Sequence, residues 1–232
     1  MLFSFMSSGD SVPDNVVVMH FFCDGCSGQN KNWTVFRFLY YIVHGLRRFQ
    51  MITVTFPVRG HSYMECDSDM VHVNQKARVE LPDQWREEFH SARRNPTPIN
   101  AIPMSNDKFF AISAALKKYF PAKNPIATRP IREIRIDVNK PGVILHRDNW
   151  HGEFKSTEVL KKTRRGVADL SLEPINFQQA YDNQLPLSKP KFQDLQALKT
   201  YCSPAAQAYF DALPVSNSAV DTFHDQDPVS DE

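Results

Sequence analysis

The order of two apolar runs and the segment between them constrains the fold of this chain most. Residues 16–23 (VVVMHFFC) form a continuous β-branched and aromatic run, which is typical of a fully buried strand at the centre of a sheet. Apolar residues then recur at spacings of three and four over residues 33–46, as on one face of a helix. Residues 51–58 supply a second strand-like run. Strand, helix and strand in this order predict a parallel α/β unit.

Capping residues place the helices of this first part. Asn32 can cap the helix after the first strand, because its side chain can accept a hydrogen bond from the first turn. Ser68 or Asp67 can cap a second, short helix that runs to about Arg78. Residues 1–94 are therefore predicted to form one α/β core.

The second half of the sequence predicts smaller elements. Alternating apolar and charged residues at 134–138 lead into an Asn-Lys-Pro-Gly turn at 139–142, which predicts a hairpin. Pro190 and Pro204 are placed to begin two short helices. We predict four regions along the chain: a core over 1–94, a proline-containing linker or loop over 95–106, a C-terminal α+β region over 107–214, and an acidic, disordered tail over 215–232.

Composition excludes several classes of protein. Apolar residues make up 42% of the chain and charged residues 23%, which is the balance of a globular protein rather than a disordered one. Four cysteines are too few for a disulfide scaffold. No apolar run is long enough to span a membrane, so we expect a soluble intracellular protein without a membrane partner.

The overall net charge of +1 conceals a strong local asymmetry. Residues 117–165 hold 13 Lys and Arg against 5 Asp and Glu, a net charge of +8, whereas residues 221–232 carry −5. A basic block of this kind can bind nucleic acid, and it can equally be a solvated surface that keeps the protein soluble. The candidate nucleic-acid-binding side chains in the block are Lys155, Lys161, Lys162, Arg164 and Arg165.

Two polar loops follow the two predicted strands. Asp24 opens a glycine-containing loop that includes Gln29 and Asn30, and Asp67 follows the second strand after His61. Ligands of open α/β sheets bind at the carboxyl ends of the strands. Two carboxylates there suit Mg²⁺ (or Mn²⁺), which takes oxygen ligands and assists phosphodiester cleavage.

Each of these residues also has a structural interpretation. Asp24 can hydrogen-bond within its own turn, and Asp67 can be a helix N-cap. Asp69 can be a favourable first-turn charge, although it is also a fallback metal ligand. His61 can be a proton shuttle or a turn residue bonded to the backbone.

The cysteines suggest a further alternative. Cys23 and Cys26 form a C-x-x-C pair, which is found in zinc sites and redox centres. Cys23 belongs to the first apolar run, so a small core residue is the better interpretation. A zinc site would need Cys66 with His61 or His72 to complete its ligands.

Two motifs resemble those of an uncharacterised domain family derived from transposons. The first is F-x-D-x-C-x-G-Q-N-x-N, from Phe22 to Asn32, and the second is G-H-x-x-x-x-x-D, from Gly60 to Asp67. We associate this family with the RNase H-like fold of DDE/DDD transposases. The resemblance covers residues 16 to about 78 well, and weaker similarity continues in the C-terminal part.

The resemblance implies both a fold and an ancestral chemistry. It implies a partial RNase H-like sheet flanked by helices, in which Asp24 matches the second catalytic acid and Asp67 the third, with His61, Gln29 and Asn30 near the metal. The first acid of such enzymes lies on an upstream strand, and only fifteen residues with a loop-like character precede the first run here. We therefore expect an N-terminally truncated domain with exposed sheet edges.

Three functional hypotheses follow from the sequence. The first is a transposase-derived nuclease domain whose ancestral reaction is metal-dependent DNA cleavage and strand transfer, with little or no activity as it stands. The second is a non-catalytic nucleic-acid-binding remnant that uses the 117–165 block. The third is a zinc or redox protein built on Cys23 and Cys26. The first two imply DNA as partner and a nuclear location, and the exposed edge implies a second copy or another partner.

Overall fold

A computed structural model describes residues 12–58, 64–76, 78–95, 97–162, 166 and 170–217. The chain forms two compact units. Of the described residues, 12–58, 108–162, 166 and 170–180 belong to the first unit, and 64–76, 78–95, 97–107 and 181–217 to the second. The described helices are α1 Trp33–His44, α2 Glu65–Lys76, α3 Pro82–Ala92, α4 Ile112–Leu116, α5 Lys189–Leu198 and α6 Pro204–Asp211, with 3-10 turns at Asn106–Lys108 and Lys199–Tyr201.

The first unit is built on a five-stranded mixed sheet whose strands follow chain order. The strands are β1 Val18–Phe22, β2 Met51–Thr55, β3 Glu133–Asp137, β4 Val143–Arg147 and β5 Lys155–Glu158. β1 and β2 pair in parallel, as predicted, and the other neighbours pair antiparallel. The chain is therefore α/β, with a sheet flanked by helices. The predicted hairpin is β3–β4, and it continues this sheet instead of standing in a separate C-terminal region.

Helix α1 supplies the largest part of the core. Asn32 caps it as predicted, since its Oδ1 accepts a hydrogen bond from the Val35 amide at 2.9 Å. Side chains of α1 are buried with the apolar face of β2, β3 and β4. That cluster includes Phe36, Leu39, Ile42, Ile52, Val54, Ile134, Ile136 and Ile144. The three-and-four spacing in the sequence thus corresponds to the buried face of α1.

β1 is an edge strand, and the prediction that it lies buried at the centre of the sheet is wrong. Among the described residues, β2 is the one strand paired with it. The backbone bonds that fix its orientation are Cys23 N to Thr55 O at 3.0 Å and Gln50 N to Val17 O at 2.7 Å. Because backbone groups alternate along a strand, those of Val18, His20 and Phe22 face away from β2. Val18 and Phe22 are also 38% and 66% exposed.

The second unit consists of helices with few buried apolar side chains. Among its described residues, Val73 and Ala206 are the buried apolar ones. Pro190 and Pro204 lie in the first turns of α5 and α6, as predicted. Helix α2 begins at Glu65 and ends at Lys76, slightly earlier at both ends than the sequence predicts. None of the described helices combines the length and the apolar character that a membrane crossing requires.

Candidate functional site

The loop after β1 brings two of the predicted site residues together. The Asn30 Nδ2 donates a hydrogen bond to the Asp24 Oδ1 at 2.7 Å, and Asp24 is exposed. The Cys26 carbonyl organises the loop, because it accepts the backbone N–H groups of Gln29, Asn30 and Lys31 at 3.3, 2.9 and 3.0 Å. Gln29 is exposed. The Asp24 carboxylate therefore has the turn-stabilising contact that its structural interpretation predicts.

Lys31 connects this loop to the basic block, which the sequence did not indicate. Its side chain is buried, at 6% exposure, and its Nζ donates to the Arg129 carbonyl at 2.9 Å. The same Nζ lies 5.3 Å from the centroid of the Phe56 ring, within the range of a cation–π contact. A buried lysine held in this way fixes the loop after β1 against the segment that precedes β3.

Three strands end at the same end of the sheet, which we call the Asp24 end. Phe22 pairs with Thr55, Thr55 with Glu133, and Glu133 with Arg147, so the carboxyl ends of β1, β2 and β4 share one row. Arg132 is tied into this end through its backbone, since its N–H donates to the Arg147 carbonyl at 2.8 Å. The geometry therefore places arginines of the basic block beside the loop that carries Asp24.

An arginine–aromatic cluster supports the β4–β5 connection at this end. The guanidinium carbons of Arg135 and Arg147 lie 4.3 and 4.8 Å from the centroid of Phe154. Glu133 is 5% exposed and forms ion pairs with both arginines; its contact with the Arg147 Nε is 2.9 Å long. The Arg147 Nη1 also donates to the Trp150 carbonyl at 2.9 Å. The cluster thus compensates the buried carboxylate of Glu133 and anchors the connecting loop.

The other predicted acids belong to the second unit. Asp67 is the third residue of α2, where its Oδ2 accepts the Met64 amide at 3.1 Å, so it caps the helix from inside its first turn rather than from the N-cap position. Asp69 forms an ion pair with the Arg93 Nη1 at 2.7 Å, with both side chains about one-fifth exposed. His61 lies outside the described residues.

The metal hypothesis requires several oxygen ligands on one ion. In the part of the chain that the structure describes, no three His, Cys, Asp or Glu side chains are grouped as a metal site. Among the described residues of the first unit, the hydrogen-bond partner of the Asp24 carboxylate is the amide Nδ2 of Asn30, a donor that does not ligate a cation. The contact seen at Asp24 therefore fits a hydrogen-bonded turn and does not by itself fit a two-carboxylate Mg²⁺ or Mn²⁺ centre.

The cysteines are all free thiols in this structure. Cys23 packs against the core, as its place in the apolar run predicts. Burial, with a smaller contribution from the Asp24 carboxylate, raises the pKa of the Cys23 thiol, which disfavours the reactive thiolate. Cys26 is half-buried in the same loop, and Cys66 is exposed on α2 in the second unit.

The candidate nucleic-acid-binding lysines are on the surface of the first unit. Lys155 forms an ion pair with Asp148 at 2.9 Å, and Lys162 forms one with Glu158 at 2.8 Å. The Lys161 Nζ donates to the Lys117 carbonyl at 2.8 Å. Exposed pairs like these are weak and exchange readily, so the lysines can still contact a polyanion. Arg164 and Arg165 lie outside the described residues.

Comparisons with known proteins identify no relative of this chain. No protein-family model, no curated protein and no solved structure matches the chain.

Proposed function

We propose that this chain is a transposon-derived, RNase H-like domain that binds nucleic acid in the nucleus and retains little of an ancestral metal-dependent DNA cleavage and strand-transfer activity. The observation that carries the proposal is the placement of basic residues at the Asp24 end of the sheet. Lys31 holds the Arg129 segment against the loop after β1, and Arg132 is bonded to the end of β4. Lysine and arginine side chains beside a strand-end loop suit a phosphate backbone.

The edge of β1 that is paired with no other described strand supports the fold implied by the motif resemblance. In that fold the strand bearing the first acid lies beside the strand bearing the second, and Asp24 lies two residues after the end of β1. The backbone groups of Val18, His20 and Phe22 that face away from β2 offer the hydrogen bonds such a neighbour needs. A partner strand, including one from a second copy of this chain, could pair along the same edge.

Loss of activity is the second part of the proposal, and the contacts of two acids support it. Asn30 engages Asp24, and Arg93 engages Asp69. The test is to incubate the purified protein with labelled DNA and Mg²⁺ or Mn²⁺, beside an Asp24→Ala variant. We expect no more cleavage from the wild type than from the variant. Robust cleavage that Asp24→Ala abolishes would show that the domain is an active nuclease.

Binding is tested by fluorescence anisotropy of labelled DNA at increasing salt. The affinity should fall steeply, because each phosphate contact releases counterions. The double variant Arg129→Ala/Lys155→Ala, which removes two exposed cations at the Asp24 end of the sheet, should bind more weakly and reduce the salt slope by roughly one to two. The matched control is Lys189→Ala/Lys191→Ala, which removes two exposed lysines of α5 in the second unit. An affinity that does not change with salt concentration, or an equal loss of affinity in the two double variants, would show that this surface does not bind nucleic acid.

A further inference from the structure

The loop between β4 and β5 presents an aromatic side chain at the Asp24 end of the sheet. Trp150 is 40% exposed, although tryptophan is among the most apolar and bulky side chains. Trp85 in the second unit has a similar exposure of 36%, but it lies beside Phe89 with ring centroids 6.0 Å apart. Among the described residues, Trp150 has no aromatic neighbour of this kind. Part of Trp150 is therefore accessible to a ligand.

Hydrogen bonds and close packing hold the backbone of the loop that carries Trp150. Arg147 donates to the Trp150 carbonyl at 2.9 Å, and the ring of Phe154 lies against the same guanidinium. The Asn149 Oδ1 accepts the His151 amide at 3.1 Å, and a side chain at Gly152 would meet Asn149 at 2.6 Å. The backbone of this loop is therefore constrained, which lowers the conformational entropy that the loop would lose when a ligand binds.

Three cations belong to the same end of the sheet as the loop that carries Trp150. Lys155 begins β5 directly after the loop, and its side chain is 64% exposed. Arg129 is exposed and Arg132 is half-buried, and neither is ion-paired with a described carboxylate. An exposed aromatic residue and cations at one end of a sheet suit a single strand, because unpaired bases stack on aromatic rings while cations neutralise the backbone phosphates.

We propose that Trp150 is a stacking platform for an unpaired base, and that Arg129, Arg132 and Lys155 contact the backbone of the same single strand. The inference rests on the proposed nucleic-acid binding and narrows it to single-stranded DNA or RNA. A base paired within a duplex is already stacked on both faces, so it cannot use the ring without being extruded. Single strands should therefore bind more tightly than a duplex of the same sequence length.

The chain has three tryptophans, which allows a direct optical test. Trp33 is 3% exposed and cannot contact a ligand, so a Trp85→Phe variant leaves Trp150 as its exposed reporter. Titration of this variant with single strands of about ten thymidines or uridines should quench its fluorescence. The double variant Trp85→Phe/Trp150→Phe retains Trp33 alone and should show no quenching. Comparing the two sugars distinguishes DNA from RNA as the preferred source of the strand.

Affinity provides the second readout. Trp150→Ala should weaken single-strand binding roughly 10- to 100-fold, which corresponds to the loss of one stacked base, and Trp150→Phe should retain most of the affinity. Trp85→Ala, the matched control, should bind as the wild type does. Should Trp150→Ala melt at a lower temperature than the wild type, the affinity of Trp150→Phe and the quenching titration still test whether Trp150 stacks on a base.

The outcomes separate this inference from the broader proposal. Quenching with either single strand, together with the loss in Trp150→Ala, supports the platform. Binding without quenching, or equal affinity for duplex and single strand, overturns the platform and leaves nucleic-acid binding in place. The absence of binding to all probes at low salt overturns both.

Discussion

The two units of this protein differ in the kind of interaction that stabilises each of them internally. The first unit has a continuous apolar core around α1 and the sheet, whereas Val73 and Ala206 are the buried apolar residues among the described residues of the second. Polar contacts are prominent in the second unit instead. Examples are the Asp69–Arg93 ion pair, the bonds from the Ser203 amide to both carboxylate oxygens of Glu80, and the Lys199–Asp211 pair.

This difference in apolar burial indicates that the first unit is the more stable of the two. Burial of apolar surface contributes far more to folding than exposed polar contacts do. In the second unit Leu198 is 60% exposed and Tyr201 is 86% exposed, so these side chains contribute little to its stability. The first unit can therefore position a functional site rigidly, and the second should open at a lower free energy.

The largest expected difference in the free energy of unfolding is between alanine variants of two leucines, one in each unit. Leu39 is 1% exposed in the core of the first unit, and Leu198 is exposed at the end of α5. Leu39→Ala should lower the free energy of unfolding by about 2–5 kcal/mol, because it leaves a cavity, while Leu198→Ala should change it by less than about 0.5 kcal/mol. Denaturant titration measures both. Equal losses in the two variants would mean that the second unit has a core of its own.

An intermediate effect is expected from the helix caps. Asn32 accepts the Val35 amide at 2.9 Å and donates to the Ser27 carbonyl at 2.9 Å, whereas Ser203 accepts the Ala206 amide at 3.4 Å. Asn32→Ala should cost about 1 kcal/mol of global stability, because it removes both bonds. Ser203→Ala should change only the hydrogen exchange of α6 amides. A global loss from Ser203→Ala as large as that from Asn32→Ala would show that the two units unfold together.

The smallest expected effect is a pH dependence of the free energy of unfolding that arises from two histidines of the first unit. Burial lowers the pKa of His44, against a weaker opposing effect of Asp137, so the folded state binds the proton less readily than the unfolded state. The free energy of unfolding should therefore decline as the pH falls below the ordinary histidine pKa of about 6.5. Burial and Lys155 lower the pKa of His146 in the same direction.

His44→Phe isolates the first of these contributions. A phenylalanine keeps a ring beside Tyr40, with which His44 stacks at 4.3 Å, and removes the proton-binding site. Its stability should vary less with pH than that of the wild type, and adding His146→Gln should reduce the remaining slope further. Identical slopes in His44→Phe and the wild type, measured by denaturant titration from pH 5 to pH 8, would contradict the assignment.

Local signals in the sequence predicted much of the first unit. The Asn32 cap and the three-and-four spacing located α1, and the Asn-Lys-Pro-Gly turn located the hairpin, where Gly142 has φ +83°. β5 was missed because Lys-Ser-Thr-Glu has no apolar alternation; its strand conformation accompanies its pairing with β4. The apolar run alone did not predict the edge position of β1, since such a run does not show how many neighbours a strand has; an exposed edge was expected only from the motif resemblance.

The candidate site was predictable only in part. Asp24 and Asn30 lie six residues apart in one motif, and the structure brings them into contact. The Lys31–Arg129 bond spans 98 positions, and the cluster beneath Trp150 depends on strand register, so no local pattern reveals either. The charge excess of residues 117–165 was the one signal that pointed towards this surface.

The outward-facing backbone of β1 also has a consequence for how the protein is made. Folding of one chain is a first-order process, whereas pairing of two exposed strands is second order, so the balance between them depends on concentration. The strand Val18–Phe22 carries no lysine, glutamate or proline, the residues that commonly block such pairing. Slow synthesis and dilution should therefore favour the monomer, and a lysine in place of His20 would raise the concentration at which nascent chains begin to associate.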